Sequence, residues 1–231
     1  MTDTASDRDA RPTTVRHLRR RWKPIKEHLH AEQKNHPTNI RFHRACSWLQ
    51  RVEQMEGDAD LDLVLTGQWI AFNALYGQWN PAAGEPLPDR ECWRRFLDRE
   101  LAMDANGRLA DILTEHKRLV LAILDDAYLE NYFWKEPSPR KATQTTKGRR
   151  QAATWYLEQR WALVLEQVVE RIYLLRCQLL HGAATYNSKL NRTSMRRCTT
   201  MLGHLLPALM EVWIDHGAEE DWGPMCYPPQ G

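Results

Sequence analysis

Residues 161–182, WALVLEQVVERIYLLRCQLLHG, decide the fold. Trp161, Leu165, Val168, Ile172, Leu175 and Leu179 recur at alternating steps of four and three, the seam of a helix laid along antiparallel partners. The pattern extends backwards and predicts one long helix over 151–180. Gly182 stands just past its end, where a left-handed residue commonly closes a helix. Within its last turns, Arg176-Cys177-Gln178-Leu179-Leu180-His181 brings a permanently charged guanidinium close to an imidazole that exchanges protons near neutral pH. Such a pair has the chemistry for phosphodiester cleavage without a metal.

Outward from this stretch the same periodicity returns. Residues 14–33 carry Val15, Leu18, Trp22, Ile25 and Leu29 beside a dense set of basic residues, with Pro24 expected to bend or interrupt the helix. Residues 40–55 place Ala45, Trp48, Leu49 and Val52 on the buried stripe and Arg41, Arg44 and Arg51 outside it. Residues 60–78, 89–104, 108–134 and 191–215 complete the helical segments. The Pro- and Gly-rich stretch 79–88 and the basic stretch Lys135–Arg150 read as loops, and the Pro-rich tail from Trp222 as an extended segment across the bundle. No period-two strand pattern appears. The expectation is an all-α fold, an antiparallel helical bundle of about five to seven helices, with residues 1–12 a disordered tail and residues 13–231 a single domain.

With 231 residues, 42% of them hydrophobic, the chain can bury a full core. A formal net charge of +2 is too small to argue nucleic-acid binding by itself, so affinity for RNA requires clustered charge. No apolar run reaches the roughly 18 residues of a bilayer span and the N-terminus has no apolar leader, so a cytoplasmic protein without membrane contact is expected. Five scattered cysteines without a C-x-x-C pair read as reduced core residues. His17, His28, His30 and His36 lack the H-E-x-x-H pattern, and the chain has no G-x-S-x-G, P-loop or G-x-G-x-x-G, so neither a metal site nor a cofactor is expected.

The Arg176/His181 pair has a plain alternative account: cations near a helix C-terminus interact favourably with its dipole. Five steps at ~100° also place the two side chains about 140° apart, off a common face. Two routes could unite them, an unwound final turn at Gly182 or a two-fold dimer that pools both pairs around one cleft. Beside them Gln178, Thr185, Asn187, Asn191 and Arg192 are candidate substrate-binding residues, although loops and N-caps use the same residue types for themselves. The tryptophans Trp48, Trp69, Trp79, Trp134, Trp155, Trp161 and Trp213 follow helical phase, which assigns them to the core rather than to base stacking.

At Arg176–His181 the chain resembles the HEPN superfamily, whose signature is an arginine, four to six residues and a histidine at the end of a long helix in a small bundle. The likeness extends to one bacterial branch through Trp69–Gly77, through His181–Thr185 with Asn187-Ser188 and Asn191-Arg192, and through Asp221-Trp222-Gly223 with Tyr227-Pro228-Pro229. The resemblance implies a homodimer with facing motifs and, in active members, a metal-independent endoribonuclease. Its RNA substrate's 2′-hydroxyl attacks the adjacent phosphorus and leaves a 2′,3′-cyclic phosphate. His181 then serves as general base or acid and Arg176 holds the phosphate. Cys177 departs from the polar residue common after the arginine in active members. An inactive module binding RNA or a nucleotide, or a structural helical adaptor, are the alternative readings. Members often work in toxin–antitoxin or antiviral systems, so an antitoxin or defence partner from a neighbouring gene is implied by analogy.

Overall fold

The computed structural model describes residues 13–55, 60–130, 135, 146–183, 185–189 and 191–228. The expected tail at 1–12, Trp134, and Arg140 and Lys141 of the expected basic loop lie outside them. Among the described residues there are nine α-helices: α1 (Val15–Glu32), α2 (Pro37–Glu53), α3 (Leu61–Tyr76), α4 (Asp89–Met103), α5 (Arg108–Glu115), α6 (Lys117–Leu124), α7 (Thr146–Leu157), α8 (Trp161–Leu180) and α9 (Arg192–His216). The all-α bundle is as expected, with more and shorter pieces.

Helix α3 is the axis of the core. Leu61, Leu65, Trp69, Phe72, Leu75 and Tyr76 are buried on several sides of it, because α2, α4, α8 and α9 all pack against this one helix. A helix apolar nearly all round is stable only when enclosed in this way. At Gly67 a Cβ would come within 2.8 Å of Val52 Cγ2. Glycine there sets how closely α2 and α3 approach.

Two segments break where no glycine or proline signals a break. The segment expected as one helix over 108–134 divides at His116, whose ring stacks on His204 of α9 at 3.8 Å, and its regular part ends at a 3₁₀ turn, Ala127–Leu129. The segment expected over 151–180 divides at 158–160, with Gln159 at φ +53°. There the Tyr156 hydroxyl donates to the Leu113 carbonyl at 2.8 Å and its ring meets Trp161 edge-on. Tertiary contacts made by one aromatic override local helix preference. The helix also begins at Thr146, inside the stretch read as a loop.

Pro24 does not end α1, which runs on to Glu32. The proline is exposed, so the carbonyl it leaves without a helical donor is on the water side. After α3 the chain forms a two-residue antiparallel hairpin, Trp79–Asn80 with Glu85–Pro86, whose strands are each too short to show a period of two in the sequence. The tail holds to the bundle as expected. Trp222 stacks on Trp213 at 4.2 Å, and Met225 bridges to Gln78.

Arg41, expected outside the α2 stripe, is 1% exposed. Its guanidinium donates to the carbonyls of Leu75 (3.1 Å) and Gly77 (2.6 Å) at the end of α3 and to those of Trp222, Gly223 and Pro224 in the tail. One buried cation thereby serves carbonyls at the end of α3 and in the tail, of which that of Pro224 also accepts from Trp79 N–H at 2.9 Å. Burial lowers its pKa to about 10, still cationic at neutral pH. Arg44, one turn on, donates to the Cys226 carbonyl at 3.0 Å and to that of Tyr227 at 2.6 Å.

Among the described residues no helix is long and apolar enough to cross a membrane.

Candidate functional site

The tail, the hairpin and the ends of α2, α3, α4 and α8 enclose a cleft of about 590 Å³, within the range of small-ligand sites. Arg176 reaches it from α8. The buried residues Ile172 and Leu175 fix that face of the helix against the core, which leaves the Arg176 side chain 24% exposed. Its Nη1 stands 3.8 Å from Asp89 Oδ2, and its guanidinium carbon lies 5.8 Å from the centre of the Trp69 ring. The Nε is buried and has no hydrogen-bond partner. The cation is therefore oriented by charge and by an aromatic face, its Nη1 also making a weak hydrogen bond of 3.9 Å to Cys177 Sγ.

Asp89 opens α4, where a carboxylate suits the helix dipole. Its Oδ1 accepts from Tyr76 Oη at 2.5 Å and from Asn73 Nδ2 at 3.1 Å, both from the last turn of α3. Burial, and then the adjacent Asp89 charge, hold the Tyr76 phenol well above its ordinary pKa, so it remains a donor. Tyr173, three residues before Arg176 on the same helix, is pushed up to about 12, chiefly by burial. Arg90 covers its ring at 5.1 Å and pairs with Glu170 at 2.7 Å.

His181 is the C-cap of α8, is exposed, and does not line this cleft. The final turn does not unwind. His181 N–H donates to the Cys177 carbonyl at 3.0 Å, Gly182 N–H to Leu179 at 3.2 Å and Ala183 N–H to Gln178 at 2.9 Å, with Gly182 at φ +70°. The last two bonds form a Schellman closure. Of the two routes that could unite Arg176 and His181, the unwound turn is thus excluded, and within one copy the pair stays on different faces.

Gln178 Nε2 donates to the Tyr128 carbonyl at 3.0 Å. Thr185 is exposed in the turn after α8. Asn187 and Arg192 come together, the guanidinium donating to Asn187 Oδ1 and, at 2.7 Å, to Asp62 Oδ2 at the start of α3. Asn191 occupies the N-cap of α9 without a side-chain capping bond. This polar run pins the α8–α9 connection to α3, helped by Tyr186 Oη donating to Asp60 at 3.1 Å, and it lies apart from the residues that line the Arg176 cleft.

Asp89, Tyr76 and Asn73 escaped the sequence reading, which took α3 as a wall and Asp89 as a helix-start residue. A signal was present, since the stretch Trp69–Gly77 and the tail around Tyr227 both line the cleft that holds Arg176. Trp48, assigned to the core, is 41% exposed and lines the same cleft, because α2 turns its apolar stripe toward α3 and leaves this ring at the edge. Among the described residues no group of three or more His, Cys, Asp or Glu is arranged to hold a metal.

Comparison with protein families, with curated proteins and with solved structures returns no match to this chain.

Proposed function

We propose that the chain is a metal-independent endoribonuclease of the HEPN type, acting as a homodimer. The observation that carries the reading is the opposite presentation of two groups on one helix end: Arg176 held over Trp69 beside Asp89 with its Nε unpartnered, and His181 exposed on a rigidly closed cap. Neither group completes a site within one copy. A two-fold that sets two α8 ends face to face would pool both pairs. Leu180, next to His181 in the chain, is 52% exposed and Tyr186 of the following connection is 63% exposed, and both offer apolar area for such a contact.

In the pooled site the ribose 2′-oxygen attacks the adjacent phosphorus and the P–O5′ bond breaks. The 2′-proton passes to a His181 imidazole, the imidazolium so formed gives a proton to the leaving 5′-oxygen directly or through water, and the products are a 2′,3′-cyclic phosphate and a 5′-hydroxyl. Arg176 stabilises the charge gathering on the non-bridging oxygens, and general acid–base help from His181 is worth about 10²–10⁴-fold. An antitoxin or defence partner from a neighbouring gene belongs to this reading by analogy only.

The specific observation that His181 does not line the Arg176 cleft favours a second reading, an inactive module that binds RNA or a nucleotide through Arg176 and the exposed Trp48. Incubating end-labelled single-stranded RNA with the protein in EDTA separates the two. Cleavage leaving cyclic-phosphate ends, lost in Arg176→Ala and in His181→Ala, supports the nuclease. Binding without cleavage supports the silent module.

A further inference from the structure

Arg44 belongs to two hollows at once. It lines the Arg176 cleft and also a groove of about 660 Å³ between α1 and α2. Arg19, Lys23 and Lys26 of α1, Lys34 of the connection and Arg44 of α2 supply that groove's permanent cations, and Glu27 is its one carboxylate. The groove thus carries a net charge of +4 where the whole chain carries +2. Glu27 stands 3.9 Å from Lys23, which leaves the remaining cations without a facing carboxylate in the groove. The guanidinium of Arg44 is hydrogen-bonded to carbonyls, neutral partners that leave its charge uncompensated.

The floor of the groove has little polar chemistry of its own to offer. Trp22 stacks on Phe42 at 4.4 Å, and the Trp22 indole N–H is already given to Asn39 Oδ1 at 3.1 Å. Charge along the rim with a satisfied floor suits a row of phosphates better than an enclosed small ligand. Arg19 to His30 along α1 spans about 16 Å at ~1.5 Å per residue, room for several phosphates. In the cleft, one turn along α2 from Arg44, Trp48 presents an exposed ring on which only an unpaired base can stack.

We infer that the α1–α2 groove carries the phosphate backbone of single-stranded RNA into the Arg176 cleft. The identity of the polyanion as RNA rests on the ribonuclease reading; the groove itself rests on the charge and the continuity through Arg44.

The test is fluorescence anisotropy of the full chain with a labelled 2′-O-methyl oligonucleotide, which lacks the attacking hydroxyl, across a series of KCl concentrations. Lys26→Ala/Lys34→Ala, both exposed positions, is expected to weaken binding at least about fivefold and to flatten the slope of log K against log salt by about 1.4, roughly 0.7 per lost phosphate contact. Trp48→Ala weakens binding without changing that slope. Wild-type affinity and slope in the double variant, no oligonucleotide binding by the wild type, or tighter binding to phosphatidylserine vesicles than to the oligonucleotide each overturn the inference. Near-ultraviolet circular dichroism confirms that the variants are folded. A dinucleoside monophosphate reaches the cleft but not the groove. Its equal cleavage by wild type and double variant supports the nuclease reading whatever becomes of the groove, and its resistance while the oligonucleotide result holds removes the nuclease reading alone.

Discussion

Arg176 faces Asp89 across the cleft with 3.8 Å between Nη1 and Oδ2, a separation that holds the guanidinium by charge. The other oxygen of Asp89 is fixed by Tyr76 and Asn73, so the end of α3 sets the direction of a cation on α8. Asp89→Asn keeps the shape and removes the charge. Because misplacement by about an ångström can cost up to about 100-fold, turnover is expected to fall about 10- to 100-fold, measured as single-turnover cleavage of labelled RNA with thermal unfolding as the control for fold.

Arg41 ties the tail to α3 through five backbone carbonyls. Arg41→Met takes the donor from four of those acceptors, Pro224 still accepting from Trp79 N–H, at about 1–3 kcal/mol for each that water does not reach. A loss of about 3 kcal/mol or more is expected, and Arg41→Lys does not restore it because one ammonium cannot span both clusters. Urea unfolding midpoints measure the loss, and protease cleavage near Trp222 should accompany it.

Gly67→Ala adds helix propensity, yet its Cβ meets Val52 Cγ2 at 2.8 Å. Overpacking of this kind costs about 1–3 kcal/mol, more than the roughly 1 kcal/mol that alanine offers over glycine in a helix. Net destabilisation is expected, and Val52→Ala in the same chain should relieve most of it. A double-mutant cycle by chemical denaturation reads the coupling.

Glu100 is fully buried on α4, and neither carboxylate oxygen has a hydrogen-bond partner. Burial first, and then Asp104, raise its pKa well above the ordinary 4.5, so the folded chain keeps it protonated. Its contribution to stability is whole below about pH 4.5 and is lost as pH rises toward the raised folded value, because there the unfolded chain ionises and the folded chain does not. Glu100→Leu is expected to stabilise the protein by about 1–3 kcal/mol at pH 7–8, and the gain should shrink toward pH 4. Unfolding of both proteins across that range checks the sign.

What the sequence made legible was periodic. The seam of α8, the wall of α3 and the all-α class follow from spacings of three and four, and Gly182 marked the end of α8 because only its conformation is needed there. The burial of Arg41 was hidden. Nothing in the run Ile40-Arg41-Phe42 tells which carbonyls will come within reach of a long side chain, since three of the five lie about 180 residues away. The breaks at His116 and at 158–160 were hidden for the same reason, being made by His204 and Leu113 and not by local breakers. At the site, Arg176 and His181 were readable as residues. Their separation was readable from the ~100° step of a helix, whereas Asp89, Tyr76 and Asn73 assemble only when α3 and α4 meet.

The central claim is that Arg176 and His181 act together only when two copies pool them. Co-expressing Arg176→Ala and His181→Ala chains under different tags, and isolating the mixed dimer by both tags, leaves one intact arginine and one intact histidine on opposite subunits. The account predicts that this mixed dimer cleaves single-stranded RNA in EDTA while each variant's own dimer does not. A mixed dimer as inactive as its parents, beside an active wild type, contradicts it.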